Sequence, residues 1–237
     1  MAAQAGVRYS LINPKKYIQS NIKGFCNLFE SINTKNLKKV IYASSSSVYG
    51  ETKKFPTKES QSTNPKNIYG YSKVINEQMA EYYSKKFKIP FIGLRFFTIY
   101  GDWGRPDMFI LKTLIKNDKK KTFYLNNHGN HLRDFTSIKD VLEICNKILK
   151  KKFKVNQIYN ICSNNPQLIK NVFKNIQKEY GFIKYSNIEK NKADVLNTHG
   201  DNTKIKNDIK YNKFRNFNKE LVTIINWYKS VQKYDLF

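Results

Sequence analysis

The 237-residue chain reads as an α/β protein built around a parallel sheet. Two observations predict this. Three short apolar runs, at 39–43 (KVIYA), 89–97 (IPFIGLRFF) and 157–162 (QIYNIC), alternate with longer segments of helical periodicity, the pattern that lays helices on both faces of parallel strands. The runs are apolar throughout rather than every second residue, as strands covered on both faces are.

The elements follow in order. Asn13-Pro14 reads as a helix cap with proline at the first helical position, and Tyr17, Ile18, Ile22, Phe25 and Phe29 continue at near-helical spacing to about residue 32. The strand at 39–43 runs into four serines, 44–47. A polar, proline-punctuated loop covers 51–66, and an amphipathic helix is expected over 67–86. After the second strand come a turn-rich loop at 101–107 (GDWGRPD), a helix over 108–117, a short strand (TFYLN) and a helix over 137–150 capped by Ser137. Helices near 166–180 and 218–232 follow the third strand. In such sheets ligands bind beyond the carboxyl ends of the strands, and the serine run stands at one of those ends.

Composition bounds the function classes. With 40% hydrophobic and 14% aromatic residues the chain can bury a core. No apolar stretch is long enough to span a membrane, and the first residues, MAAQAGVRYS, lack the pattern of a signal peptide. The three cysteines, Cys26, Cys145 and Cys162, have no metal-type spacing, so a reduced, cytoplasmic chain is expected. The formal charge of +25 comes almost entirely from lysines scattered from end to end. Without a basic–aromatic platform, it predicts salt-dependent stickiness to polyanions and no specific nucleic-acid partner. Arginine, in contrast, occurs only at positions 8, 95, 105, 133 and 215, which points to sites that need a planar, two-pronged fork. His128 and His131 could face one metal, but no third ligand is in view, so no metal is expected.

Tyr69 and Lys73 lie four apart on one face of the helix expected over 67–86. A neighbouring ammonium favours the phenolate and makes tyrosine a usable proton acceptor. The same spacing recurs at Tyr49/Lys53, Tyr82/Lys86 and Tyr180/Lys184, so spacing alone decides nothing. Tyr69 differs by context, because it opens a helix shortly after serines at a strand end.

The segments YASSSSVYG, YGYSK, GLRFFTIYGDWGRPDM and GNHLRDFTSIKD resemble successive motifs of the extended short-chain dehydrogenase/reductase family, and among its members the NAD-dependent 4-epimerases of UDP-glucuronate. The resemblance implies a Rossmann-like, doubly wound parallel sheet over residues 1–104 and 137–163, and a small α/β sugar-nucleotide lobe over 105–136 and 164–237. It further implies NAD as cofactor, a UDP-sugar as substrate, and a homodimer through helices 13–32 and 67–86. The implied reaction inverts sugar carbon 4 through a 4-keto intermediate, most closely between UDP-glucuronate and UDP-galacturonate, in surface polysaccharide synthesis.

Residue by residue, Ser45 matches the catalytic hydroxyl, Tyr69 the general base, and Lys73 its activator and holder of the nicotinamide ribose. Ala2, Ala3, Ser44 and Phe97 match further cofactor positions. Arg8, Ser46, Ser47, Thr98, Arg105, Arg133 and Asp194 match substrate positions, with Thr98 and Arg105 on the uronate carboxylate and Arg133 on the diphosphate. Thr98 as a strand-end cap and Arg133 as a partner of Asp134 are the structural alternatives. Ser46 and Ser47 stand where related dehydratases and decarboxylases carry carboxylates, which leaves simple epimerisation.

The chain departs from the family pattern in two places. No glycine-rich strand–helix turn for a dinucleotide occurs, which implies that a first half-unit of about 80 to 90 residues is missing and that the strand at 39–43 has an open edge. The segment NKADV places Lys192 and Ala193 beside Asp194 where the family carries proline and glycine. UDP-glucose as the sugar, another NAD-dependent sugar-nucleotide epimerase or dehydratase, and an inactive fragment that only dimerises are the competing expectations.

Overall fold

A computed structural model of the chain describes residues 3–191 and 194–234. Three parallel strands, β1 (Val40–Ser45), β2 (Phe91–Phe96) and β6 (Gln157–Ile161), form the main sheet in the order β1-β2-β6. The three expected apolar strands are these three. Among the described residues β1 pairs only with β2, and none of its residues is fully exposed.

Alternation along the strands sends side chains to two separate cores. On one face Tyr42 and Phe91 pack with Phe29 of α3 (Gly24–Ser31) and with Ala80 and Tyr83 of α4 (Ile68–Phe87). On the other face Ile92, Leu94, Tyr159 and Ile161 meet Val141, Ile144 and Ile148 of α6 (Ile138–Lys150). α4 starts where Asn67 accepts a hydrogen bond from the Gly70 amide at 2.9 Å, and α6 starts at Ser137, which accepts from Lys139. Both caps follow the usual first-turn chemistry.

The helix expected over 13–32 is broken into parts. α1 (Val7–Ile12) precedes Asn13, and α2 (Pro14–Tyr17) leads into a π-helical turn, Ile18–Lys23, before α3. The wider turn rotates the buried face. Tyr17 and Asn21 point inward, while Ile18, expected in the apolar stripe, is exposed.

A second unit packs beside the sheet. β3 (Thr98–Tyr100), β5 (Leu132–Ser137) and β7 (Pro166–Leu168) form one small sheet, and β4 (Phe123–Asn126) and β8 (Tyr185–Ile188) another. With α5 (Phe109–Asp118), α7 (Ile169–Tyr180) and α9 (Phe217–Val231) they enclose a core that includes Leu114, Phe135, Ile176 and Ile225. The expected boundaries are crossed twice. Tyr100 packs in this second core, whereas α8 (Thr203–Ile209) sends Ile205 and Ile209 into the sheet core. The reason is local: a three-residue strand pairs with β5, and two isoleucines four apart present one apolar stripe to β6.

Candidate active site

The serine run ends β1 and turns at once into a single 3₁₀ turn, Ser46–Val48, whose amide at Ser47 donates to Ser45 Oγ at 3.2 Å. The four hydroxyls are not equivalent. Ser44 points to the α4 face and donates to Glu77 Oε1 at 2.5 Å. Ser45 is buried at the strand end beside the Tyr69 phenol, and Ser46 and Ser47 are half-buried. Gly70 explains how α4 comes so near. A Cβ there would lie 2.7 Å from Ser47 O and 2.8 Å from the Pro65 ring, so only glycine admits this approach of helix to turn.

Lys73, one turn on from Tyr69, is 4% exposed. Its Nζ donates to Ala43 O of β1 at 2.9 Å and sits 5.9 Å from the centre of the Tyr69 ring. Burial lowers its pKa from 10.5 to about 8. Burial also raises the Tyr69 phenol, against which hydrogen bonding from Ser45 and the positive charge of Arg105 pull it down. The groups that pull the phenol down are thus a serine and an arginine, while Lys73, expected as its activator, lies against the ring and bonds the main chain.

Arg105 reaches this point from the loop after β3. Its fork holds Asp107 through Nε at 2.9 Å and Nη2 at 2.5 Å, and its Nη2 packs where a Cβ on Gly6 would stand. Thr98 and Arg105 line one cavity of about 30 Å³ whose other walls are mostly apolar, Phe109, Leu111, Phe135 and Ile224 among them, too small for a sugar ring. The two residues expected on a carboxylate therefore share a wall.

The other expected residues fall into two groups. Arg8 Nη2 pairs with Asp194 Oδ2 at 2.7 Å, and Asn126 donates to the same oxygen at 3.2 Å. Arg133 donates to the carbonyls of Leu132, Leu196 and Val195 at 2.8 to 2.9 Å. It fastens the segment that bears Asp194 to β5. Asp134 instead accepts from Ser163 and Gly200, so the alternative pairing with Arg133 does not form. Phe97 is buried against Tyr49 and would crowd any side chain at Gly200. Ala3 is exposed beside Gln4, while Ala2, Lys192 and Ala193 lie outside the described residues. The remaining two arginines also use their forks, Arg95 on Glu77 and Arg215 on Asp140 and Glu143.

One residue escaped the sequence reading. Asn21, 1% exposed in the π-helical turn, accepts from Gln4 N at 2.8 Å and donates to Gln4 O and to Ser72 Oγ at 3.0 Å. Its own carbonyl accepts from Asn76 at 2.6 Å. It ties the 3–6 segment to the helix that carries Tyr69 and Lys73. The available signal was an asparagine four residues from both Tyr17 and Phe25, in the middle of an apolar stripe.

A hydroxyl, a phenol and an ammonium converging at a strand end match the chemistry of one group of proteins. Residues 1–162 match the family described as NAD dependent epimerase/dehydratase. The chain belongs to this family. It is 36% identical to Protein CapI of Staphylococcus aureus, over 98% of this chain and 75% of that protein. It is 33% identical to UDP-glucuronate 4-epimerase 4 of Arabidopsis thaliana, over 97% of this chain and 57% of that one. A crystal structure described as UDP-glucuronic acid 4-epimerase from Bacillus cereus in complex with UDP-glucuronic acid and NAD superposes with a TM-score of 0.90. The identity is 27%, over 98% of this chain and 74% of that one.

The residues present fit one end of the NAD that gives the epimerase/dehydratase family its name. Lys73 carries three N–H donors, of which one meets Ala43 O. The others, with the Tyr69 hydroxyl, suit ribose hydroxyls. No glycine-rich turn follows β1, β2 or β6, so the described residues hold no cradle for the pyrophosphate end. Among the described residues there is no helix long and apolar enough to cross a membrane, and no cluster of three metal-ligating side chains. His128 bonds Glu189 instead.

Proposed function

We propose that this chain inverts carbon 4 of a UDP-sugar, UDP-glucuronate to UDP-galacturonate, in the synthesis of a surface polysaccharide. The observation that carries the reading is the meeting of Ser45, Tyr69 and Lys73, with Arg105 near enough for its charge to act on the phenol. Bound NAD would accept and return the hydride at carbon 4. Tyr69 would take the proton of the 4-hydroxyl while Ser45 held that oxygen, and the same pair would return a proton after the sugar had turned over. Lys73 would hold the ribose and keep positive charge near the phenol. Arg105, released from Asp107, would grip the uronate carboxylate with both prongs.

The dimer expected through helices 13–32 and 67–86 is part of the same proposal. Leu11, Ile12, Ile18, Leu28, Tyr71 and Tyr82, all on α1 to α4 and the π-helical turn between them, are half-exposed or more, an apolar surface of the kind that pairs.

The test incubates the chain with NAD and UDP-glucuronate and follows product by nuclear magnetic resonance. Conversion by the native chain and none by Tyr69→Phe is the expected result; turnover surviving Tyr69→Phe would remove Tyr69 as the base. Arg105→Ala that spares activity would select UDP-glucose as the sugar. A second reading is favoured by β1 having, among the described residues, no partner on its outer edge and no pyrophosphate cradle beside it: a chain that pairs through its helices without turnover. No NAD binding together with a defined dimer in sedimentation selects that reading.

A further inference from the structure

A buried histidine stands outside the catalytic set. His131 immediately precedes β5, where the two-residue period of extended chain gives it the same side as Arg133. It is 8% exposed, and its Nδ1 is fully buried without a hydrogen-bond partner. Buried polar atoms of this kind are uncommon and call for an explanation.

The surroundings supply one. Burial and the charge of Arg133 act most strongly on the ring, followed by Asp194, Arg8 and Lys190. These groups come from β5, from α1 and from the segment after β8, and Glu51 holds Lys190 at 3.5 Å, so three cations meet two carboxylates, of which Asp194 is the one that acts on the ring. That carboxylate already accepts from Arg8 and Asn126. A site with a surplus of positive charge and a nearly dry wall fits a compact anion. Burial and the cations together hold the imidazole neutral, with a pKa near 4. An N–H placed on Nδ1 would be buried without an acceptor, the costlier arrangement. The proton of the neutral ring therefore belongs on Nε2.

We propose that His131 is an additional ligand-binding residue: a neutral donor that offers Nε2–H to the diphosphate of a nucleotide sugar held among Arg8, Arg133 and Lys190. The proposal rests on the reading of Arg133 and Asp194 as nucleotide contacts. It adds a donor whose strength does not change between pH 6 and 8, because it carries no charge to lose.

The test uses the full chain labelled with ¹⁵N in its three histidines, His128, His131 and His199, with His131 assigned by the signal missing from His131→Gln. The expected spectrum shows His131 neutral and protonated on Nε2 at pH 7. Titration with UDP-glucose, whose diphosphate keeps its charge over this range, should shift that nitrogen. Inorganic pyrophosphate should shift it too, and uridine should not; a shift with uridine alone would overturn the assignment to diphosphate. His131→Leu should weaken UDP-glucose roughly tenfold or more, the usual effect of losing a hydrogen bond to a charged group, while His131→Gln, which keeps a donor, recovers most of it. A charged ring, an Nδ1–H tautomer, or UDP-glucose binding with the His131 signal unmoved overturns this inference and leaves the nucleotide site standing. Failure of UDP-glucose to bind at all overturns both.

Discussion

Lys73 gives the sharpest quantitative prediction, because its cost can be worked from its surroundings. Burial moves its pKa from 10.5 to about 8, and at 1.36 kcal/mol per tenfold this destabilises the folded chain by about 3 kcal/mol at neutral pH. Replacing it by methionine, similar in length and uncharged, removes that cost. It also removes the hydrogen bond to Ala43 O, worth about 1 kcal/mol, so Lys73→Met should be about 2 kcal/mol more stable at pH 7. The sign with pH is fixed by linkage. A lysine whose folded pKa is depressed costs stability in full below about 8, and the cost fades as pH rises toward 10.5, where the unfolded chain also loses the proton. The advantage of Lys73→Met should therefore shrink to a few tenths of a kcal/mol near pH 9.5, where most of the linkage cost has gone. Urea denaturation of both proteins at pH 7 and pH 9.5 measures it. A variant less stable than the native chain at pH 7, or an advantage independent of pH, would refute the view that a buried ammonium is held here at the expense of stability. Such an expense is usual at sites of chemistry.

Two further variants probe the scaffold. Glu77→Gln removes the charge partner of Arg95, whose residue is 4% exposed; the loss should be about 3 to 5 kcal/mol in chemical denaturation, and a loss under about 1 kcal/mol would show the pair to be dispensable. Gly70→Ala puts a methyl 2.7 Å from a backbone carbonyl that cannot move alone. It should lower stability by about 1 to 3 kcal/mol and change the near-ultraviolet circular dichroism of the tyrosines around Tyr69, which an unstrained substitution would leave alone.

The central sheet and the neighbourhood of Ser45, Tyr69 and Lys73 were legible because they are local. β1, the serine turn and the start of α4 form one continuous stretch, so apolar runs, a cap and a four-residue spacing were enough. What stayed hidden has a physical pattern. β5 buries Asp134 and Thr136, so its sequence, LRDFTS, shows no apolar strand. All four residues of β8 are exposed and give no burial signal at all. α8 is seven residues long with two apolar positions, too short for periodicity to register. The partner of Lys73 is a main-chain carbonyl thirty residues away, and no side-chain pattern reports a carbonyl. The π-helical turn shifted the apolar stripe by inserting a wider turn, which hid Asn21 and misplaced Ile18.

The run of identical residues that closes β1 has a consequence for which hydroxyl stands beside Tyr69. A strand bonded along one border can slide past its neighbour more easily than one gripped on both, and sliding by a single position exchanges the sides to which successive residues point. Such a slip would turn Tyr42 out of its core, yet with serine at four consecutive places it would leave the hydroxyls at the strand end looking the same. Glu77 can sense it: anchored by Arg95 on the neighbouring strand, its carboxylate binds the hydroxyl of Ser44 and so dictates that Ser45, one place further along, is the one delivered to Tyr69. The ion pair beneath the sheet thereby works as an indexing pin for an alphabet of four equal letters.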